Sequence, residues 1–186
     1  MNNKDLLFEI GCEELPPAYQ ASLTKNLANL MTKALHQQKI EHGEVKCYST
    51  PRRIAVLICN LMDSQPEQKS ERLGPSTELA FDKQGMPTIA CLGFARSAGV
   101  CADQLTRKKT DKGERVAVVV QVAGKKTVDL MPELLAQCIK RLPIGKPMRW
   151  GANNTEFIRP VHWIVLLFGR DIINTEILGC KSGRET

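Results

Sequence analysis

The sequence predicts an α+β fold, with antiparallel-rich mixed sheets and about three main helices in two subdomains. Three features carry that expectation. Strand-length apolar runs such as "RRIAVLICNL" and "VHWIVLLFG" recur, a leucine-rich stripe at helical spacing covers about 18–40, and "TDKG" separates two extended runs.

The elements follow in order. "DLLFEI" reads as a short strand and "GCEELPP" as a turn, after which Pro16 and Pro17 open a helix whose first turn needs no backbone donor. Leu23, Leu27, Leu30, Met31, Ala34 and Leu35 recur at the spacing of one buried helix face. "EVKCYST" and "RRIAVLICNL" are extended runs interrupted by Pro51. Residues 1–62 therefore read as a β-α-β-β unit. Residues 63–88 are charged and broken by Gly-Pro, Gln-Gly and Met-Pro, which predicts a linker or loop. Residues 89–186 read as a second α+β unit, truncated at its C-terminus.

In that second unit Thr88 is placed to cap a short helix that ends at Gly99. "QLTRKK-TDKG-ERVAVVVQVAG" is a hairpin, with Val116, Val118, Val120 and Val122 on one face of its second strand. A helix spans about 129–142, with Pro132 expected in its first turn. "FIRPVHWIVLLFG" and "DIINTEILG" pair around Gly169-Arg170-Asp171. Both alternating sets of the first run are apolar, so both faces are expected to be covered. Period two separates Arg159 from His162 unless a bulge intervenes, and Pro160 favours a bulge or an edge there.

Composition narrows the class. With 186 residues, 42% apolar and 25% charged, the chain can bury a core. No apolar run approaches the roughly 18–20 residues of a membrane span, and the acidic start is unlike a signal peptide, so a cytoplasmic protein without membrane contact is expected. The seven cysteines include no C-x-x-C pair and no finger spacing with the three histidines, so they read as small buried thiols, with no metal site. Residues 1–100 hold 11 Lys/Arg against 11 Asp/Glu and residues 101–186 hold 15 against 9, so the net +6 lies in the second half. That points to a polyanion partner.

No phosphate-binding glycine loop, dinucleotide fingerprint or nucleophile elbow is present. Glu13-Glu14 reads as a polar turn and His162 as a hydrogen-bonded core histidine, with acid–base work the alternative for each. Trp150 and Trp163 read as packing, with base stacking as the alternative. The basic candidates are Arg52 and Arg53 after Pro51, and Lys146, Arg149 and Arg159 around the Gly-Ala-Asn-Asn turn. Loop guanidiniums make bidentate contacts to phosphate. Asn153 and Asn154 can read a base edge, or simply accept the left-handed geometry of a turn.

Taken in sequence, "EIGCEELPP", "TPRRIAV", "LGPS", "TDKGE", "MRWG" and "FIRPVHWIVLLFG" resemble the N-terminal part of the β subunit of bacterial heterotetrameric glycyl-tRNA synthetases. The resemblance is collinear over essentially the whole chain. It implies an α2β2 ligase that joins glycine to tRNA(Gly) with ATP and Mg, with adenylation in the α subunit and tRNA recognition in β. The chain is then a fragment, inactive alone, that binds no cofactor and has no catalytic residues. Its partners are the α subunit and tRNA(Gly), and the seven basic and asparagine candidates face one or the other. "FIRP" lacks the acidic residue that should follow the arginine of a class II site, which agrees with that division. The alternatives are a stand-alone RNA-binding domain and a small hydrolase using Glu13/Glu14 or His162.

Overall fold

The computed structural model describes residues 3–82, 84–111, 113–151 and 155–186. In chain order its elements are β1 (Lys4–Cys12), α1 (Pro17–Gln37), β2 (Val45–Thr50), β3 (Arg53–Leu61), β4 (Gln68–Ser76), α2 (Thr77–Ala80), α3 (Ile89–Ala98), β5 (Thr106–Thr110) and β6 (Gly113–Val122). There follow α4 (Thr127–Lys140), β7 (Met148–Arg149), β8 (Glu156–Phe157), β9 (Val161–Phe168), β10 (Asp171–Ile172), β11 (Glu176–Ile177) and β12 (Cys180–Gly183). The class is α+β. Among the described residues the strand pairs are antiparallel except β12 on β9.

The chain divides into a unit built from Met1–Pro66 and Lys125–Thr186 and a unit of Glu67–Gly124 inserted into it. The sequence suggested another division, at 1–62 and 89–186 around a loop. The difference arises because β9 adds directly to β1, so the last third of the chain completes the sheet that the first third begins. The presumed loop is also structured: Gln68–Ser76 pairs with β6, and α2 follows. Backbone pairing with a neighbour makes this strand, whose sequence "QKSERLGPS" carries no alternation to betray it.

In the discontinuous unit the sheet order is β11-β12-β9-β1-β3-β2, with β10 also on β9. β1 is central and its side chains alternate. Leu6, Phe8 and Ile10 share a face with Ile54, Val56 and Ile58 of β3 and with Ile164, Leu166 and Phe168 of β9. All nine are buried in one core with Leu23, Leu27, Met31 and Leu35 of α1 and Met131, Leu135 and Cys138 of α4. The four-residue spacing in α1 is the stripe read from sequence, and Pro17 occupies its first turn. α4 starts two residues earlier than expected. Pro132 is therefore its sixth residue, beyond the first turn, and forgoes the amide bond to the Val128 carbonyl. Thr127 Oγ1 donates to the Met62 carbonyl at 2.5 Å, and Gln65 N–H donates to the Lys125 carbonyl at 2.9 Å, so the insert's departure and return are stitched together.

The inserted unit is a three-stranded sheet, β4-β6-β5, with α2 and α3. The β5–β6 hairpin closes at Thr110 and Gly113, as its turn residues predict. Thr88 Oγ1 accepts from Cys91 N–H at the start of α3, and Gly99 ends it at φ 71°, both as expected. Its core is small: Ala80, Cys91 and Val116, with Phe81 and Leu105 against them.

Candidate functional site at the end of the large sheet

Three of the basic candidates, Arg52, Arg53 and Arg159, converge where β1 runs into the 12–15 turn. Cys12 N–H donates to the Arg52 carbonyl at 2.9 Å, Leu15 N–H to the Pro51 carbonyl at 2.6 Å, and Glu13 N–H to the Pro160 carbonyl at 2.9 Å. Three segments distant in sequence are thus laced by backbone bonds before any side chain is considered. The register then slips: Gly11 opposes Trp163, but Cys12 opposes Val161. His162 is the extra residue of that bulge. This corrects the reading of His162 as a core histidine. Its side chain is 44% exposed, because the bulge turns it out of the alternation that would bury it.

Two carboxylates on the β1 line each bridge an arginine on the β3 side and a ring nitrogen on the β9 side. Glu9, only 6% exposed, takes the Trp163 Nε1–H at 2.9 Å and lies 3.3 Å from Arg53 Nε. The Trp163 indole lies flat on Gly11, where a Cβ would fall 1.8 Å from Cε2, and the Arg53 guanidinium is 5.7 Å from the ring centroid. Trp163 is thus packed as expected. Glu13 repeats the pattern one step out: His162 Nε2–H meets Oε1 at 2.7 Å and Arg52 Nη2 lies 3.7 Å from Oε2. The polar turn therefore pairs its first glutamate with the histidine; Glu14 instead supplies a backbone carbonyl.

The two tiers differ in strength. Glu9 is screened from water and holds its donors in fixed geometry, so removing it strands a partly buried N–H and a partly buried charge. The Glu13 groups are each about half exposed, and such pairs are worth about 0–1 kcal/mol. The inner tier is a strut and the outer tier is exchangeable.

Arg159 reaches the same turn, donating from Nε to the Glu14 carbonyl and from Nη1 to its own neighbour's Ile158 carbonyl, both at 3.1 Å. Beneath them Cys12 is fully buried. Burial, reinforced by the Glu13 charge and opposed by Arg52 and Arg159, pushes its thiol up to about 11.

The structure brings together Arg52, Arg53 and Arg159 and places Lys146 and Arg149 elsewhere. Arg149 lies on the β7–β8 hairpin, with Nε 2.7 Å from Glu156 Oε1 and its side chain 65% exposed, and Lys146 is exposed just before it. That hairpin borders a groove of about 600 Å³ floored by Ile139, Leu142, Ile144 and Ile177. Asn153 and Asn154 lie outside the described residues. Glu9, Glu13, His162 and Trp163 are site residues that the sequence reading did not assemble. The alternation of Glu9, Gly11 and Glu13 against Phe8, Ile10 and Cys12 was the available signal. Among the described residues no group of three His, Cys, Asp or Glu side chains is placed to hold a metal ion, and no helix is long and apolar enough to cross a membrane.

Comparison with known proteins gives the family. The family model described as glycyl-tRNA synthetase beta subunit matches residues 6–186. Among curated relatives, the "Glycine--tRNA ligase beta subunit" of Coxiella burnetii is 44% identical over 186 residues, all of this chain and 27% of the relative. That of Hahella chejuensis is also 44% identical with the same coverage, and that of Salmonella arizonae is 43% identical over 184 residues, 99% of this chain and 27% of the relative. The chain thus spans about a quarter of the length of the relatives it matches. The match covers residues 6–186, and so takes in both structural units, and on that ground the chain belongs to the glycyl-tRNA synthetase beta subunit family.

Proposed function

We propose that this chain is the N-terminal portion of the β subunit of an α2β2 glycine–tRNA ligase, and that it serves tRNA recognition and assembly with the α subunit. Adenylation, with its ATP and Mg, belongs to the α subunit. The observation that carries this reading is the family match from residue 6 to the end of the chain, at 42–44% identity to named relatives. The exposed Lys146 and Arg149, and the outer-tier Arg52 and Arg159, are the groups that face tRNA or the α subunit. A hydrolase using Glu13/Glu14 or His162 is disfavoured, because the family match and the named relatives are ligase subunits.

The test is reconstitution. With glycine and ATP, the 186-residue chain alone should support no pyrophosphate exchange, and α plus complete β should support exchange and aminoacylation. Exchange by the chain alone would overturn the assignment of adenylation. A stand-alone RNA-binding domain would instead bind RNA with no dependence on α and contribute nothing to aminoacylation.

A further inference from the structure

We propose that Glu13 occupies a latent anion site, and that it gives way to a backbone phosphate of RNA held by Arg52, Arg159 and His162. The proposal rests on the reading of tRNA as a partner. Its geometry is independent of that reading.

The Glu13 carboxylate has His162 Nε2 at 2.7 Å on one oxygen and Arg52 Nη2 at 3.7 Å on the other. Arg159 stands over the same turn, bonded to the Glu14 carbonyl. Set aside the Glu13 side chain and the cluster carries two guanidinium charges and an imidazole donor, the donor set that recognises a phosphate. Glu13 fills it with a single negative charge, and the Arg52 contact is long.

Displacement is cheap at this tier and costly at the next. The Arg52, Glu13 and His162 side chains are 55%, 47% and 44% exposed, whereas the side chain of Glu9 is 8% exposed and is fixed by Trp163 and Arg53. The backbone will not follow Glu13 outward. Its N–H is bound to the Pro160 carbonyl, and Cys12 and Leu15 are bound to Arg52 and Pro51 on either side. A side-chain rotation alone therefore opens the site while the backbone that carries the donors keeps its place. A pI of about 9.0 favours a polyanion over an isolated carboxylate as the incoming group.

The test is Glu13→Gln, which removes the competing charge and keeps an acceptor for His162. Binding of fluorescent single-stranded octauridylate to the 186-residue chain should tighten about two- to five-fold, with a steeper salt dependence, as one more phosphate is neutralised. Arg52→Gln should weaken it, and adding Arg52→Gln to Glu13→Gln should abolish the gain. Melting curves accompany each variant, and Arg52→Gln in the unmodified chain carries the test should Glu13→Gln fail to fold. Unchanged or weaker octauridylate binding by folded Glu13→Gln overturns the proposal. So does tightening for inorganic pyrophosphate alone, which would mark a site for a free anion. Complete β is assayed in parallel with tRNA: tRNA binding that persists without a Glu13→Gln effect sinks this inference only. An octauridylate gain with no tRNA binding by complete β sinks the functional reading and leaves the anion site standing.

Discussion

The indole of Trp163 rests on the bare α-carbon of Gly11, its cross-strand partner, so closely that a methyl group there would overlap Cε2 and Cδ2 at 1.8 and 2.1 Å. Gly11→Ala must therefore lift the ring, and with it the Nε1–H bond to Glu9. A loss of about 2–4 kcal/mol is expected in urea denaturation, since overpacking and a lost buried bond act together. A change below about 0.5 kcal/mol would show that the ring is not held there.

Glu9 is the common acceptor of that indole and of Arg53. Glu9→Gln keeps an acceptor for Trp163 but removes the charge facing Arg53, and should cost about 1–2 kcal/mol. Glu9→Ala strands both donors and should cost about 3 kcal/mol or more. Equal losses in the two variants would argue that the indole bond contributes nothing, and no loss in Glu9→Gln would argue the same of the ion pair.

Alkaline titration should expose the buried thiols. Desolvation pushes Cys12 and Cys138 each up from 9.0 to about 11, with smaller charge effects from Glu13, Arg52 and Arg159 on the first and Arg141 on the second. Between these values the unfolded chain releases the protons that the folded chain retains. Stability is thus fully present below about pH 9, falls as pH rises to about 11, and then levels, by roughly 2–3 kcal/mol per thiol. Cys138→Ala should flatten part of that fall, read as the denaturation midpoint against pH.

Lys146 and Arg149 are the cleaner probes of tRNA contact. Both are exposed, and among the described residues Arg149 is tied to Glu156 on the paired strand, so alanine should shift stability by less than about 0.5 kcal/mol. If they meet phosphates, each loss should weaken tRNA binding by complete β about ten-fold, most at low salt. Arg159→Ala should also lower the melting temperature, because two backbone carbonyls lose their donor. Unchanged tRNA binding with failed α association would reassign Lys146 and Arg149 to the subunit interface.

Local signals in the sequence were reliable where the cause was local. Thr88 and Gly99 bound α3, "TDKG" turns the β5–β6 hairpin, and the leucine spacing of α1 gives its buried face. What escaped was non-local. β4 owes its existence to β6, forty-odd residues on, and nothing in its own side chains announces a strand. The candidate arginines were legible by type, yet their grouping depended on a one-residue bulge at His162, which reverses the parity that alternation assigns. Glu9 and Glu13 acquire partners only through strand order, which periodicity does not encode.

The order β9-β1-β3 also sets a timetable for synthesis. β1 and β3 can pair as soon as both have left the ribosome, but the other edge of β1 stays open until β9 follows, about 100 residues later. At about 5–20 residues per second that is a wait of roughly 5–20 s with Leu6, Phe8 and Ile10 short of their final cover. During that interval the inserted unit emerges whole, with its contacts local to itself. A nascent chain of this design shelters one edge of its central strand late, which makes the interval before Val161 the stretch of translation in which a chaperone has the most to hold.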